Sequence, residues 1–176
     1  METCKPSRTP MESNLRLEQA LETQHLGKPY RELLGCLTYL VVTSRSDLGA
    51  AVSFFSQFQC NPSEQHWRHA KRMLRYLKGT LDYGLVYKRN ETDRQIVGFT
   101  DASWAADAND RRSTSGYLLQ VYGSTTAWSS KKQITVALSS TEAECYALAD
   151  CVCEVLWTRK LFAELKLLDS GPVEDL

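Results

Sequence analysis

Three short β-prone runs followed by one long helical pattern constrain this chain more than any other feature. Ile96-Val97-Gly98-Phe99-Thr100 is apolar and β-branched, as a strand requires. Gly116 to Tyr122 is a second such run, Gly123-Ser124 turns the chain, and Thr125 to Ser129 is a third, with Trp128 available for packing. Consecutive strands of this kind form an antiparallel meander, and a meander needs a layer to cover its apolar face. The next segment supplies it. A helix is predicted from about Ser139–Thr141 to Leu165, with Leu148, Cys151, Val152 and Val155 as its first apolar stripe and Leu161, Phe162 and Leu165 continuing it. The expected fold class is α+β.

The first half of the chain reads as helical. Residues 1–29 form an irregular lead-in interrupted by Pro6, Pro10 and Pro29, with Met11 to Leu26 as its one helical stretch. Tyr30 to Val42 places Leu33, Leu34, Leu37, Leu40 and Val41 on one face. Ser46 is expected to cap a second helix, with Asp47 in its first turn and Leu48, Ala51, Val52, Phe55 and Phe58 along its stripe. Pro62 sits near the start of a third helix, Ser63 to Lys78, which Gly79 closes. Trp67, Ala70, Leu74 and Leu77 form its stripe, and His66 and His69 are expected on its surface. Leu85-Val86-Tyr87 is β-like, Lys88 to Gln95 is a polar connection, and Trp104 to Ser115 is a loop. The predicted organisation is 1–29 lead-in, 30–90 helical region and 95–176 sheet-and-helix domain.

Charge sharpens two of these elements. The net charge is zero, so the whole chain implies no polyanionic partner, but residues 61–90 hold seven basic against two acidic residues. Residues 141–176 hold three basic against eight acidic ones. Arg68, Lys71, Arg72, Arg75 and Lys78 lie largely off the apolar stripe of the third helix. They form either a solvated face or a face that tracks phosphates. The six cysteines form no CxxC pair, and five lie in or beside apolar runs. They are expected to be buried free thiols in a reducing, intracellular setting. No apolar run is long enough to span a bilayer, so no membrane partner is expected.

Two acids stand at the joints of the predicted domain. Asp101 closes the first strand, and Glu142 and Glu144 lie in the first turns of the long helix. Carboxylates on neighbouring elements can share a hard divalent cation, although helix dipoles also draw acids to first turns for stability alone. Ser139-x-x-Glu142 fits a capping box, which would leave Glu144 free; Thr141-x-x-Glu144 would reverse the roles.

Residues 30–165 closely resemble the C-terminal part of the Pol polyprotein of Ty1/copia-type retrotransposons. The matching words are Tyr30-Arg-Glu-Leu-Leu-Gly-Cys-Leu-Thr-Tyr-Leu, His66-Trp67, Lys71-Arg-Met-Leu-Arg-Tyr-Leu-Lys-Gly-Thr80, Asp110-Arg-Arg-Ser-Thr-Ser-Gly-Tyr117, Ser130-Lys-Lys-Gln133 and Val136-Ala-Leu-Ser-Ser-Thr-Glu-Ala-Glu144. The resemblance implies a reverse-transcriptase thumb or connection over 30–90 and a ribonuclease H-like domain from residue 95, C-terminally truncated, with three antiparallel strands under a long helix. It implies that Asp101 and Glu144 are catalytic metal ligands, that the cofactor is Mg²⁺ and that the substrate is an RNA:DNA hybrid cut by two-metal catalysis. Other nucleic acid and other parts of a Pol polyprotein are further expected partners. The expected location is intracellular, cytoplasmic in a virus-like particle or nuclear.

The sequence departs from that family in ways that matter. Ser103, Ala106 and Cys145 replace a common Asp, Gly and Tyr. The family's third carboxylate follows the long helix on a fourth strand, and here Leu176 comes first; Asp175 is carried by no β-like run. There is no Tyr-x-Asp-Asp polymerase word. The expectation is a fragment inactive alone as a ribonuclease; the alternatives are a catalytically dead nucleic-acid-binding module or a decayed transposon remnant.

Overall fold

The computed structural model describes residues 3–13, 15–18, 27–88 and 96–167. It is α+β, with helices α1 (Tyr30–Thr43), α2 (Gly49–Ser56) and α3 (Glu64–Lys78), strands β1 (Ile96–Ser103), β2 (Thr114–Val121) and β3 (Ser124–Lys132), then α4 (Ser140–Glu164). The sheet is an antiparallel meander ordered β1-β2-β3, with Asp101 opposite Gly116 and Leu118 opposite Trp128. Among the described residues no helix is long and apolar enough to cross a membrane.

The helical region closes around Leu34, Leu37, Leu48, Phe55 and Met73, all fully buried. Tyr30 opens α1 and donates its buried hydroxyl to Phe55 O at 2.9 Å, which fixes α1 against α2. Ser46 does not cap a helix by its side chain. Ser46–Leu48 is a 3₁₀ turn leading into α2, and Asp47 is turned away from the helix axis toward Arg45 and Tyr76. On α3 the buried line is His66, Ala70, Met73 and Tyr76, about one residue round from the expected stripe, with Trp67, Leu74 and Leu77 half-buried at its margin. His66 is therefore no surface histidine. It is 1% exposed, and its Nδ1 accepts the Ser63 N–H at 2.9 Å, taking the place that Glu or Gln fills in an ordinary capping box. Residues 85–87 form no strand. The described part of the expected helix over 11–26 is irregular and drops Leu17 into the core; the remainder of that stretch lies outside the described residues, as do 168–176.

The sheet lies between two helical layers. On one side is α4. Its buried residues are Ala143, Ala147, Cys151 and Thr158, whereas Leu148 and Val152, expected to face the sheet, are 51% and 44% exposed. The cause is close approach: a Cβ at Gly98 would lie 2.6 Å from Cys151 Sγ and 3.4 Å from Val155 Cγ2. Only small side chains fit along that line, so the bulkier ones rotate outward. On the other side are α1 and α2. Trp128 Nε1 donates to Val41 O at 2.8 Å, and Lys132 Nζ to Gln57 Oε1 at 3.1 Å. All six cysteines are free, but the expectation of burial holds only for Cys151. Cys4 is half-buried, and Cys36, Cys60, Cys145 and Cys153 are exposed because they sit on the outer sides of their segments.

Candidate active site and basic helix

Strand alternation decides where Asp101 points. Gly98 faces α4, and side chains alternate along a strand, so Phe99, Asp101 and Ser103 occupy the opposite face. There Asp101 lines a groove of about 400 Å³ shared with Ser46, Asp47 and Ala50 of the helical region. Asp47 is already engaged. It accepts from Arg45 Nε and Nη2 at 2.9 and 2.8 Å and from the Tyr76 hydroxyl at 2.8 Å. Arg45 is 6% exposed and also donates to Thr80 O and Oγ1 at 2.9 and 2.7 Å. The Arg45 bonds hold the Asp47 carboxyl below its usual range, and the Asp47 bonds hold the guanidinium above its own.

Glu144 follows from how α4 begins. Ser139 Oγ accepts the Glu142 N–H at 3.1 Å, and the Glu142 carboxylate accepts the Leu138 N–H at 2.7 Å. Glu142 is thus the capping acid, and Glu144 is exposed. Glu144 lies roughly two helical turns before Cys151 and so continues the Cys151 line toward the start of α4.

One buried side chain ties the start of α4 to the sheet. Gln133 Nε2 donates to Ser115 Oγ at 2.8 Å and to Ala143 O at 2.9 Å, while its own backbone N–H donates to Ser113 O at 2.8 Å. Ser115 pairs with Ala102, next to Asp101, and Ala143 precedes Glu144. The structure therefore brings Asp101 and Glu144 to the same end of the sheet but to opposite faces of β1. Among the described residues neither carboxylate takes part in a hydrogen bond or ion pair, and no group of three or more His, Cys, Asp or Glu is placed to hold a metal ion.

Sequence reasoning missed the groups that hold this end together. Gln133 stood inside a matching word without a role, and the Arg45–Asp47–Thr80 network joins residues far apart in the chain. Lys132 Nζ bonds Asp107 Oδ2 at 2.6 Å and Asp110 Oδ2 at 2.8 Å, which closes the loop between β1 and β2 onto β3. Burial pushes the Asp107 carboxyl up, but the Lys132 ammonium and the Asn109 and Asp110 N–H groups outweigh it and hold the carboxyl below its usual range. The two flanking acids likewise hold Lys132 above its own, against burial.

The basic residues of α3 are divided between two surroundings. Arg68 is exposed, and Lys71 Nζ lies 5.9 Å from the centre of the Trp67 ring. Arg72, Arg75 and Lys78 are turned to the N-terminal segment. Arg72 donates to Thr9 O, Thr9 Oγ1 and Glu12 Oε1 at 3.2, 3.0 and 2.9 Å; Arg75 donates to Lys5 O at 2.7 Å; Lys78 donates to Cys4 O at 3.0 Å.

The chain is similar to known proteins along most of its length. It is 41% identical over 174 residues, 98% of the chain, to the retrovirus-related Pol polyprotein from transposon RE2 of Arabidopsis thaliana. It is 37% identical over 174 residues, 95% of the chain, to the retrovirus-related Pol polyprotein from transposon TNT 1-94 of Nicotiana tabacum. This chain belongs to the copia-type retrotransposon Pol polyprotein family. The Pol chain spans 12% and 13% of the length of those two relatives. It is also 50% identical over 129 residues, 73% of the chain and 90% of the relative, to a secreted RxLR effector protein, number 161, of Plasmopara viticola. No family model matches the Pol chain. No solved structure matches it.

Proposed function

We propose that residues 96–167 of this Pol chain are part of a ribonuclease H-like unit whose Asp101 and Glu144 contribute to cleavage of the RNA strand of an RNA:DNA hybrid. One observation carries the reading: an acid on the edge strand of a meander and an acid in the first turns of its covering helix lie at the same end of the sheet, both open to solvent. Mg²⁺ would supply the nucleophile and stabilise the leaving oxygen in such a reaction. The described donors do not amount to its site. Mg²⁺ takes octahedral oxygen coordination through one or two carboxylates, waters and substrate phosphates, and a two-metal site needs carboxylates that converge on its ions. Asp101 on one face of β1 and Glu144 on the helix that covers the other do not converge in that way. What the chain's own residues supply is position: Gln133 holds the start of α4 against β2, and Lys132 holds the neighbouring loop.

It follows that the chain binds hybrid but does not cut it alone. The test is cleavage of a labelled RNA:DNA hybrid over a range of Mg²⁺, beside Asp101→Asn. No Mg²⁺-dependent cutting by folded protein is expected. Cutting that the substitution abolishes would show that two acids suffice and that the proposed incompleteness is wrong.

The second reading is a nucleic-acid-binding module without chemistry, or a decayed remnant. The short donor set favours it. Binding separates its two forms, because each phosphate neutralised lowers the affinity slope against salt by roughly 0.9, and a remnant shows no such slope.

A further inference from the structure

The cationic row of α3 is occupied by the chain itself. Arg72, Arg75 and Lys78 step along one side of the helix at intervals of three residues, roughly 4.5 Å of rise each. Their donors end on backbone carbonyls of Cys4, Lys5 and Thr9 and on the Glu12 carboxylate. These are oxygens in a line, which is also what a phosphodiester backbone presents. The segment that supplies them is fixed unevenly. Its root is apolar: Met11, Leu15 and Leu17 pack against the helical core. Its outer part, residues 3–9, is held by polar contacts. These are the bonds just named and the Ser7 N–H donated to Arg75 O at 3.1 Å; Pro6 lies over Gly79. Exposed contacts between charged and polar groups hold weakly and are screened by salt. A polyanion carries far more charge per unit length than one glutamate and a few carbonyls.

We propose that the Arg72–Arg75–Lys78 row is a binding face for a nucleic-acid phosphate backbone and that residues 3–9 form a strap over it, displaced when nucleic acid binds. The proposal rests on the nucleic-acid reading given above. It makes the row a gated surface: bound to the strap in the free chain, bound to phosphates in the complex. The root at Met11–Leu17 keeps the strap tethered, so it re-covers the row when the nucleic acid leaves.

Gly79 offers a way to loosen the strap without touching a charge. A Cβ there would lie 2.9 Å from Pro6 Cβ, while the backbone at Gly79, with φ −86° and ψ −3°, accepts alanine. Gly79→Ala therefore moves the strap and leaves α3 intact. Two quantities are read: the rate of tryptic cleavage after Arg8, which reports the strap, and the affinity, with its salt dependence, for a short labelled RNA:DNA hybrid. Faster cleavage is expected, with hybrid bound more tightly than by wild type; the log–log salt slope stays near that of wild type, because the row meets the same phosphates in both complexes. Arg72→Gln with Arg75→Gln in the same background is expected to remove most of that gain. Faster cleavage with unchanged affinity, in a chain that does bind hybrid, overturns the strap and leaves the nucleic-acid reading standing. If neither protein binds hybrid although the strap is loose, the nucleic-acid reading itself fails. Glu12→Lys, which sets a like charge beside Arg72, is the second release variant. If neither variant speeds cleavage after Arg8, the strap is a fixed part of the fold and the proposal falls.

Discussion

Gln133→Ala tests whether one buried amide holds the acid-bearing end of the sheet in place. The substitution removes two donated bonds, to Ser115 Oγ and to Ala143 O. Both acceptors are buried, Ser115 at 4% and Ala143 at 0% exposure. Each bond lost inside the protein costs about 1 kcal/mol, and the Ser115 hydroxyl is left to find another partner. Truncating the amide also opens a cavity, which adds to the cost. Against these stands one relief: Gln133 Oε1 is a buried acceptor with no partner among the described residues, and its removal returns about 1 kcal/mol. The Ala143 carbonyl keeps its helical acceptor role, so its loss is partial. The net expectation is a destabilisation of roughly 1–3 kcal/mol. Urea denaturation measures the total, and hydrogen exchange measures its place: the amides of the first two turns of α4 should lose protection before those of α3. Gln133→Met, which keeps most of the volume and loses both bonds, separates the cavity from the polar part. A variant within about 0.5 kcal/mol of wild type, the range of an unremarkable surface change, or one that loosens the whole chain evenly, would refute the assignment of a local tie.

Three further outcomes follow from the same packing. Gly98→Ala forces a Cβ to 2.6 Å from Cys151 Sγ and should cost about 1–3 kcal/mol as overpacking; the double variant with Cys151→Ala should recover much of that in a double-mutant cycle, and purely additive costs would contradict it. Asp47→Asn leaves the buried Arg45 guanidinium short of its counter-charge; because the Asp47 side chain is 34% exposed, the loss is expected at roughly 1–3 kcal/mol, below that of a fully buried pair, read from the urea midpoint. Burial, with a smaller push from His69, holds His66 below its usual value of 6.5, so the unfolded chain binds the proton more readily. Its contribution is whole above about pH 6.5 and is lost as pH falls from there through the lower folded value, so stability should drop on acidification in wild type and drop less in His66→Gln; equal slopes would exclude His66 as the titrating group.

The elements were legible in the sequence because they follow periodicity, and the misreadings have local causes. The long helix was placed within a residue or two, but its stripe was assigned to the bulkiest apolar residues. Packing selected Ala143, Ala147 and Cys151 instead, because Gly98 lets the sheet come too close for leucine. His66 was read as exposed because capping boxes are sought with Glu or Gln at that position, and a histidine Nδ1 serves equally well. Positions at a strand end and in a helix's first turns nominate Asp101, Glu142 and Glu144, and the matching words single out Asp101 and Glu144. Their placement on opposite faces of β1 needed the strand's parity, which only the packing of Gly98 fixes. The basic face of α3 was visible as charge. Its engagement with residues 4–12 was not, since those contacts span sixty residues and more of sequence and leave no periodic trace.

The sheet's second cover has a consequence for anyone who would cut this chain. The segment between residues 88 and 96 looks like a natural place to separate helices from strands. Yet the face of the sheet that carries Trp128 is roofed by α1 and α2, and that indole gives its N–H to the last turn of α1. Lys132 reaches from the rim of β3 to Gln57 in the same direction. An excised 96–167 would keep α4 and lose the roof, presenting a bare indole and a lysine stripped of one partner to water. The helices are less a neighbour of the sheet than its other half-shell, and the two are best made and handled as one piece.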